Sequence, residues 1–141
     1  MNMSKGAQQY AKVDRNTAVE NANPHQLIQM LYQGALDSLQ QSLGYIDRRD
    51  FEAKGKSIGR AITIIGGLQG FLDHEKGGAV SANLDSLYEY MTVKLFEATR
   101  ENSAEKVREV IGLLRQIKTG WDGISEEASR IFSESAQPAT R

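Results

Sequence analysis

The chain has 141 residues, a net charge of −1 and no cysteine. This length suits one domain with a single core. The near-zero charge provides no field that would attract nucleic acid or an anionic membrane, and the lack of cysteine excludes disulfides, thiolate metal sites and a cysteine nucleophile.

No stretch of the sequence approaches the roughly 18 apolar residues needed to cross a bilayer. Residues 1–14 also lack the apolar core of a signal peptide. We therefore expect a cytoplasmic protein that does not insert into a membrane.

Residues 1–20 form a polar segment that cannot bury enough surface to order itself. We expect a flexible N-terminal cap segment there. Tyr10 is the exception, because an isolated aromatic side chain in a polar tail is either exposed and idle or docked on the domain that follows.

The first helix is predicted to begin at Asn23 and Pro24 and to end near Asp47. Asn23 is a good N-cap, and a proline at the first helical position loses no hydrogen bond. Apolar residues then recur at helical spacing on one broad face: Leu27, Ile28, Leu31, Tyr32, Ala35, Leu36, Leu39, Leu43 and Ile46.

The second helix is predicted from about Phe51 to Leu72, with Asp50 as its cap. Its apolar arc covers roughly 180°, whereas a bundle helix needs nearer 100°. One edge, formed by Ile64, Leu68 and Phe71, is therefore apolar beyond what a four-helix core requires. Either a loop or the N-terminal segment covers this edge, or it is a docking groove for a partner, and the two are compatible if the cover is displaceable.

Five glycines in the same helix oppose its stability, since each costs up to about 1 kcal/mol relative to alanine. They are Gly55, Gly59, Gly66, Gly67 and Gly70. They either permit close helix approach or leave the helix adaptable, and Gly66 with Gly67 could kink it.

A glycine-bearing connection over residues 73–80 precedes a third helix over about 82–100, with Ser81 as its predicted cap. The predicted inner face excludes Tyr90 and Val93 and consists of Leu84, Leu87, Tyr88, Met91, Leu95 and Ala98. After a tight link, in which Asn102 and Glu105 approximate a capping box, the fourth helix shows a near-heptad seam: Val107, Val110, Leu114, Ile117, Trp121, Ile124 and Ala128. Residues 133–141 are predicted to be a disordered tail.

Four such helices with short links predict an all-α fold, an antiparallel up-down-up-down four-helix bundle over residues 21–132. We expect its core to include Leu31, Leu95, Leu114 and Trp121.

The sequence offers no catalytic site, no metal site and no cofactor site. His25 and His74 stand in no metal-ligand spacing, and neither has a glutamate three residues before it, as a di-iron bundle requires. One enzyme-like alternative is a histidine phosphotransfer-type four-helix domain, because His74 is followed by Lys76 and Gly77. That chemistry has its lysine three residues after the histidine, and the shift to two breaks the arrangement.

The ordered motifs of the chain resemble the flagellar secretion chaperones of the FliS family. The resemblance spans about residues 10–122. Its first motif is residues 22–28 with 30–35, and its second is Ile64, Ile65, Leu68 and Leu72. The third is Gly77 and Gly78 followed by Asn83, Leu84, Leu87, Tyr88, Tyr90 and Met91. The fourth is Leu113 and Leu114 followed by Trp121.

The resemblance implies a chaperone that binds the disordered C-terminal segment of flagellin, prevents its premature polymerisation and aids its delivery to the flagellar type III export apparatus. The family also carries a tyrosine near Tyr10, which favours docking of this side chain. We expect Tyr10, Ile64, Leu68 and Phe71 to bind the partner. A generic helical adaptor with another client is the remaining alternative.

Overall fold

The computed structural model describes residues 23–124, which form four helices. These are α1 (Pro24–Asp47), α2 (Phe51–Gly70), α3 (His74–Glu101) and α4 (Ala104–Asp122). Each helix packs on the next in the chain, and α4 returns to pack on α1. Short links between successive helices make the neighbours antiparallel, so the predicted all-α four-helix bundle is confirmed. The predicted cap segment over residues 1–20 and the predicted tail over residues 133–141 lie outside the described residues.

The start of α1 is fixed by a reciprocal capping box. The side chain of Asn23 accepts from the backbone N–H of Gln26 at 2.8 Å, and the Gln26 side chain accepts from the backbone N–H of Asn23 at 3.1 Å. Pro24 occupies the first helical position, as predicted. Two orphan amides of the first turn are thereby satisfied, which sets the point where α1 enters the bundle.

The helix α2 starts at Phe51 as expected, with the Asp50 side chain accepting from the backbone N–H of Ala53 at 3.3 Å. It continues through Gly66 and Gly67, both buried, without a break in helical geometry. The kink lies later, at Gly78 inside α3, where φ is +50° and ψ is −125°.

The beginning of α3 differs from the sequence prediction. Residues 74–77 form a helical turn rather than a loop, and the cap is Asp73, whose side chain accepts from the backbone N–H of Lys76 at 2.9 Å. Ser81 is not a cap: it is fully buried, and its hydroxyl donates to the Asp73 carbonyl at 3.0 Å. Gly78 lies between Ser81 and the capped turn, so this hydrogen bond spans the kink.

The predicted capping box of Asn102 and Glu105 was wrong by one residue. Asn102 adopts the left-handed conformation, with φ 54° and ψ 44°, and ends α3. Ser103 is the N-cap of α4, and its hydroxyl accepts from the backbone N–H of Lys106 at 3.1 Å. Asparagine tolerates positive φ better than serine, which explains this division of roles.

The core runs the length of the bundle between all four helices, and it includes Leu31, Leu95, Leu114 and Trp121 as predicted. One polar contact crosses it. The hydroxyls of Tyr32 in α1 and Tyr88 in α3 lie 2.5 Å apart, and both side chains are fully buried. The pair therefore joins helices that occupy opposite corners of the bundle.

Candidate partner-binding surface

The proposed partner-binding edge of α2 lies largely in the interior. Ile64 is 1% exposed and Leu68 is 0% exposed, whereas Phe71 is partly buried and packs against the core from the end of the helix. Phe71 is thus the member of this set that an incoming partner could reach without a rearrangement. Tyr10 lies outside the described residues.

A run of five consecutive buried residues, 64–68, marks the middle of this edge. Since successive helical residues point about 100° apart, burial of five in a row means that α2 is enclosed on every side at this level. A helix at the corner of a four-helix bundle normally keeps one face open to solvent. The extra apolar width predicted for α2 therefore coincides with burial on every side at this level.

At one end of the bundle, the first turn of α1 is clamped to the last turn of α4. The rings of His25 and Trp121 stack with centroids 4.8 Å apart and an interplanar angle of 20°. The His25 Nε2 lies 2.7 Å from the Trp121 carbonyl oxygen, and the Trp121 Nε1–H donates to the His25 carbonyl at 3.1 Å.

A set of polar side-chain contacts on the surface extends this clamp between α1 and α4. Gln29 donates to one carboxylate oxygen of Asp122 at 2.8 Å, and Lys118 donates to the other at 2.7 Å. Burial raises the pKa of Asp122, but the hydrogen bonds from Lys118 and Gln29 outweigh it, and the pKa lies below its ordinary value. Sequence reasoning placed Trp121 in the core but missed this pairing, because residues 96 positions apart share no local pattern.

Beside this clamp, a polar groove of about 400 Å³ runs between α1 and α4. Its lining residues are Gln33, Leu36, Asp37, Gln40, Arg115, Lys118, Thr119 and Asp122. Two acidic and two basic side chains share it, so the groove has no dominant charge that would select a ligand of one sign.

The α3–α4 face is held by ionic and phenolic contacts. Lys106 lies 2.9 Å from both Glu97 and Glu101, and Tyr90 donates to Glu109. The hydrogen bond from Lys106 lowers the pKa of Glu97, and the hydrogen bonds to Glu97 and Glu101 raise the pKa of Lys106. These groups are partly or largely exposed to solvent, so their contacts orient the two helices more than they stabilise them.

His74, the residue of the phosphotransfer alternative, is exposed in the first turn of α3. The non-helical Gly78 directly follows this turn, so His74 is not presented from the middle of a continuous helix. Within residues 23–124, no group of three or more histidine, aspartate or glutamate side chains could hold a metal ion. No helix in the same range is both long and apolar enough for a membrane span.

The comparison with known families is decisive. The family model described as flagellar protein FliS matches residues 6–128, which is most of the chain. The chain belongs to the FliS family. Its match includes both the described bundle and the part of the sequence that carries Tyr10.

Individual FliS relatives agree with the family model. The chain is 49% identical to the flagellar secretion chaperone FliSB of Pseudomonas aeruginosa over 86% of its own length and 96% of the relative's. It is 43% identical to FliS of Salmonella typhimurium over 96% and 99% of the two chains, and 36% identical to FliS of Escherichia coli over 86% and 90%. Each of these proteins is a flagellar secretion chaperone by name.

Proposed function

We propose that the chain is a cytoplasmic export chaperone that binds the disordered C-terminal segment of flagellin. In this role it would keep flagellin from polymerising early and aid its delivery to the flagellar type III export apparatus. The observation that carries the proposal is the FliS match over residues 6–128, together with relatives named as flagellar secretion chaperones.

The physical requirements of such a function agree with the fold. A client that must stay unfolded for export offers an amphipathic segment, and a helical bundle can hold its apolar side in a groove without any chemical step. We place the client against the α2 edge, with Phe71 at its accessible end and Ile64 and Leu68 beneath. The width of apolar surface on α2 supports this placement, because it exceeds what a corner helix uses in its core.

The enclosure of residues 64–68 supports a displaceable cover over the same edge. We propose that the N-terminal segment acts as this cover, with Tyr10, assisted by Val13 and Val19, occupying the groove until the client arrives. About 14 residues separate Tyr10 from the start of α1, which allows a reach of up to roughly 45 Å. Cover and client would then compete for one surface.

Calorimetric titration with a synthetic flagellin C-terminal peptide tests the function. Saturable binding at a stoichiometry of one supports it, and the absence of binding at high micromolar peptide contradicts it. Phe71→Glu should weaken binding at least tenfold while the helical circular dichroism is kept. Phe51→Glu is the matched control, because it changes a phenylalanine at the other end of α2, 38% exposed, and should bind as the unmodified chain does.

A charge at Ile64 is a poorer probe than one at Phe71, since Ile64 is fully enclosed and a buried unpaired charge unfolds the chain. Conservative replacement by alanine at Ile64, measured for both stability and peptide affinity, separates packing from recognition. If Phe71→Glu and the unmodified protein bind the peptide with equal affinity, the α2 edge is not part of the client surface.

Deletion of residues 1–18 tests the cover. The truncated protein should bind the peptide more tightly and be less soluble alone, and Tyr10→Ala should do the same more weakly. Amide exchange of residues 5–20 should become faster when the client binds. Slower exchange on binding, or weaker binding after deletion, would show that this segment is part of the client surface instead.

A further inference from the structure

The inner face of α3 becomes uncovered toward the start of the helix. Val80, Leu87 and Met91 stand at positions i, i+7 and i+11, so at about 100° per residue they lie within roughly 40° of one another on the helix. Met91 is 0% exposed and Leu87 is partly buried, whereas Val80 is 55% exposed. A face that is completely buried in the middle of the bundle is therefore open to solvent at this end.

The side of α4 that faces α3 is also incompletely covered here. Lys106 marks this side, because its ammonium lies 2.9 Å from both Glu97 and Glu101 of α3. The later α4 residues that lie within about 20° of Lys106 around the helix are apolar and only partly buried: Leu113, Ile117 and Ile124. Together with Val80, Leu84 and Leu87 they form an apolar surface that we call the α3–α4 seam.

The helix α4 ends at the level of Val80. Tyr90 of α3 donates to Glu109 of α4, which fixes the register of these two antiparallel helices. Val80 lies ten residues before Tyr90, or about 15 Å along the axis. Asp122 lies thirteen residues after Glu109, or about 20 Å in the same direction. The last residue of α4 is thus within about 5 Å of the level of the open end of the seam.

The sequence that follows Ile124 carries one pair of large apolar residues. Among residues 125–141 these are Ile131 and Phe132, and the others are alanine, proline or polar. Six residues separate Ile124 from Ile131. A connection of this length reaches up to roughly 23 Å when extended, which is enough to bring the pair back to Val80.

We propose that Ile131 and Phe132 fold back onto the α3–α4 seam and cover Val80. The pair is suited to this place because it is apolar, as the seam is, and because its tether starts at the same level of the bundle. Short tethers give effective concentrations in the millimolar range, so the pair competes well with a separate partner for this surface. The contact is independent of the flagellin-binding function, which we place on α2.

Two neighbouring positions at the start of α3 allow a matched test of this contact. Asn83 lies seven residues before Tyr90, so it is on the side of α3 that contacts α4. Ala82 lies seven residues before Glu89, which accepts from Gln69 of α2, so it is on the opposite side. Both positions are exposed and suit substitution by cysteine.

Disulfide trapping between these positions and Ser133 tests where the C-terminal segment lies. The chain has no cysteine of its own, so each engineered pair is the sole source of a disulfide. In low-micromolar protein under mild oxidation, Asn83→Cys with Ser133→Cys should form an intrachain disulfide at least tenfold faster than Ala82→Cys with Ser133→Cys. Non-reducing electrophoresis separates intrachain from interchain products.

Amide exchange measures the cover without cysteines. Residues 129–134 of the unmodified protein should exchange at least tenfold more slowly than a free peptide of the same sequence. Val80→Asp places a charge under the apolar pair and should abolish this protection. Val93→Asp is the matched control, because Val93 is 49% exposed on the outer side of α3, and it should keep the protection. Circular dichroism of both variants establishes that they are folded.

Equal rates of disulfide formation in the two cysteine pairs would overturn the proposal, as would protection of residues 129–134 that Val80→Asp leaves unchanged. If Val80→Asp instead accelerates exchange only in residues 5–20, the N-terminal segment covers the seam and the proposal is wrong. It is also wrong if Val80→Asp weakens binding of the flagellin peptide without altering exchange at residues 129–134, since the seam then belongs to the client surface. A chain that does not bind the flagellin peptide at all should still give the expected disulfide and exchange results, so the two proposals fail separately.

Discussion

His25 and Trp121 each bond to the backbone carbonyl of the other while their rings stack 4.8 Å apart. This reciprocal contact joins the first turn of α1 to the last turn of α4. We expect the two residues to be energetically coupled, and a double-mutant cycle with Trp121→Phe and His25→Phe measures the coupling while keeping two aromatic rings in place. Contacting residues typically show coupling of about 0.5–3 kcal/mol.

In that cycle, each single substitution should lower the free energy of unfolding in urea by at least about 1 kcal/mol, because it removes one hydrogen bond, and Trp121→Phe also shrinks a buried side chain. Additive effects within about 0.3 kcal/mol would show that the two hydrogen bonds act separately and that the clamp is not a unit.

Alkaline pH should destabilise the fold through the buried tyrosine pair. Burial raises the pKa of both Tyr32 and Tyr88 well above the ordinary value of 10.0. The folded state therefore keeps the phenol protons that the unfolded chain releases, so this stabilisation is complete below pH 10 and falls as the pH rises above it. One pH unit above 10, the loss is about 1.4 kcal/mol for each tyrosine.

Urea unfolding at pH 8 and pH 11 tests this dependence. The double variant Y32F/Y88F should lose less stability over the interval than the unmodified protein, and Tyr45→Phe, which changes a partly buried tyrosine, should lose as much. Equal losses of stability in all three proteins would show that the buried tyrosine pair is not the source of the pH dependence. At pH 8 the double variant should be closer to the unmodified protein than either single variant, because no hydroxyl is left buried without its partner.

Truncation within the α4 seam should be costly. Leu114 is fully buried, and replacing a buried leucine by alanine costs about 2–5 kcal/mol, so Leu114→Ala should lower the urea midpoint clearly. Gln116→Ala, at an exposed position of the same helix, is the control and should change stability little. A loss below about 0.5 kcal/mol for Leu114→Ala would contradict its place in the core.

Two glycines should respond in opposite ways to replacement by alanine. A Cβ at Gly55 would meet no atom within 4 Å, so Gly55→Ala should stabilise α2 by up to about 1 kcal/mol through its better helix propensity. Gly78 has φ +50° and ψ −125°, a region that only glycine enters readily, and Gly78→Ala should cost about 1–3 kcal/mol. Thermal unfolding of both variants measures the contrast, and a stable Gly78→Ala protein would mean that this backbone kink relaxes freely.

The helices were predictable where the signal is local. The start of α1 was predicted from Asn23 and Pro24, and the start of α2 from Asp50. Both predictions were possible because capping depends on residues three positions apart. The junction of α3 and α4 was misplaced by one residue, since Asn102 and Ser103 are both good caps and only the backbone angle distinguishes them.

Contacts between distant helices were less accessible. Periodicity placed Tyr32 and Tyr88 on inner faces, but it does not give the axial level at which two helices pack, and so it could not predict that their hydroxyls meet. For the same reason periodicity gave the angular width of the apolar arc of α2 but not the depth of Ile64 and Leu68, which are almost completely buried. The proposed client surface rests on the family resemblance for its function and on periodicity only for its position.

The clamp between His25 and Trp121 also bears on the order of folding. It closes a loop of 96 residues, and compared with a loop of about ten residues the added entropy cost is roughly 2 kcal/mol. The α1–α2 and α3–α4 pairs close much shorter loops, so we expect them to form first and the clamp to form after the rate-limiting barrier. Loss of the clamp would then leave the folding rate nearly unchanged and act almost entirely by accelerating unfolding.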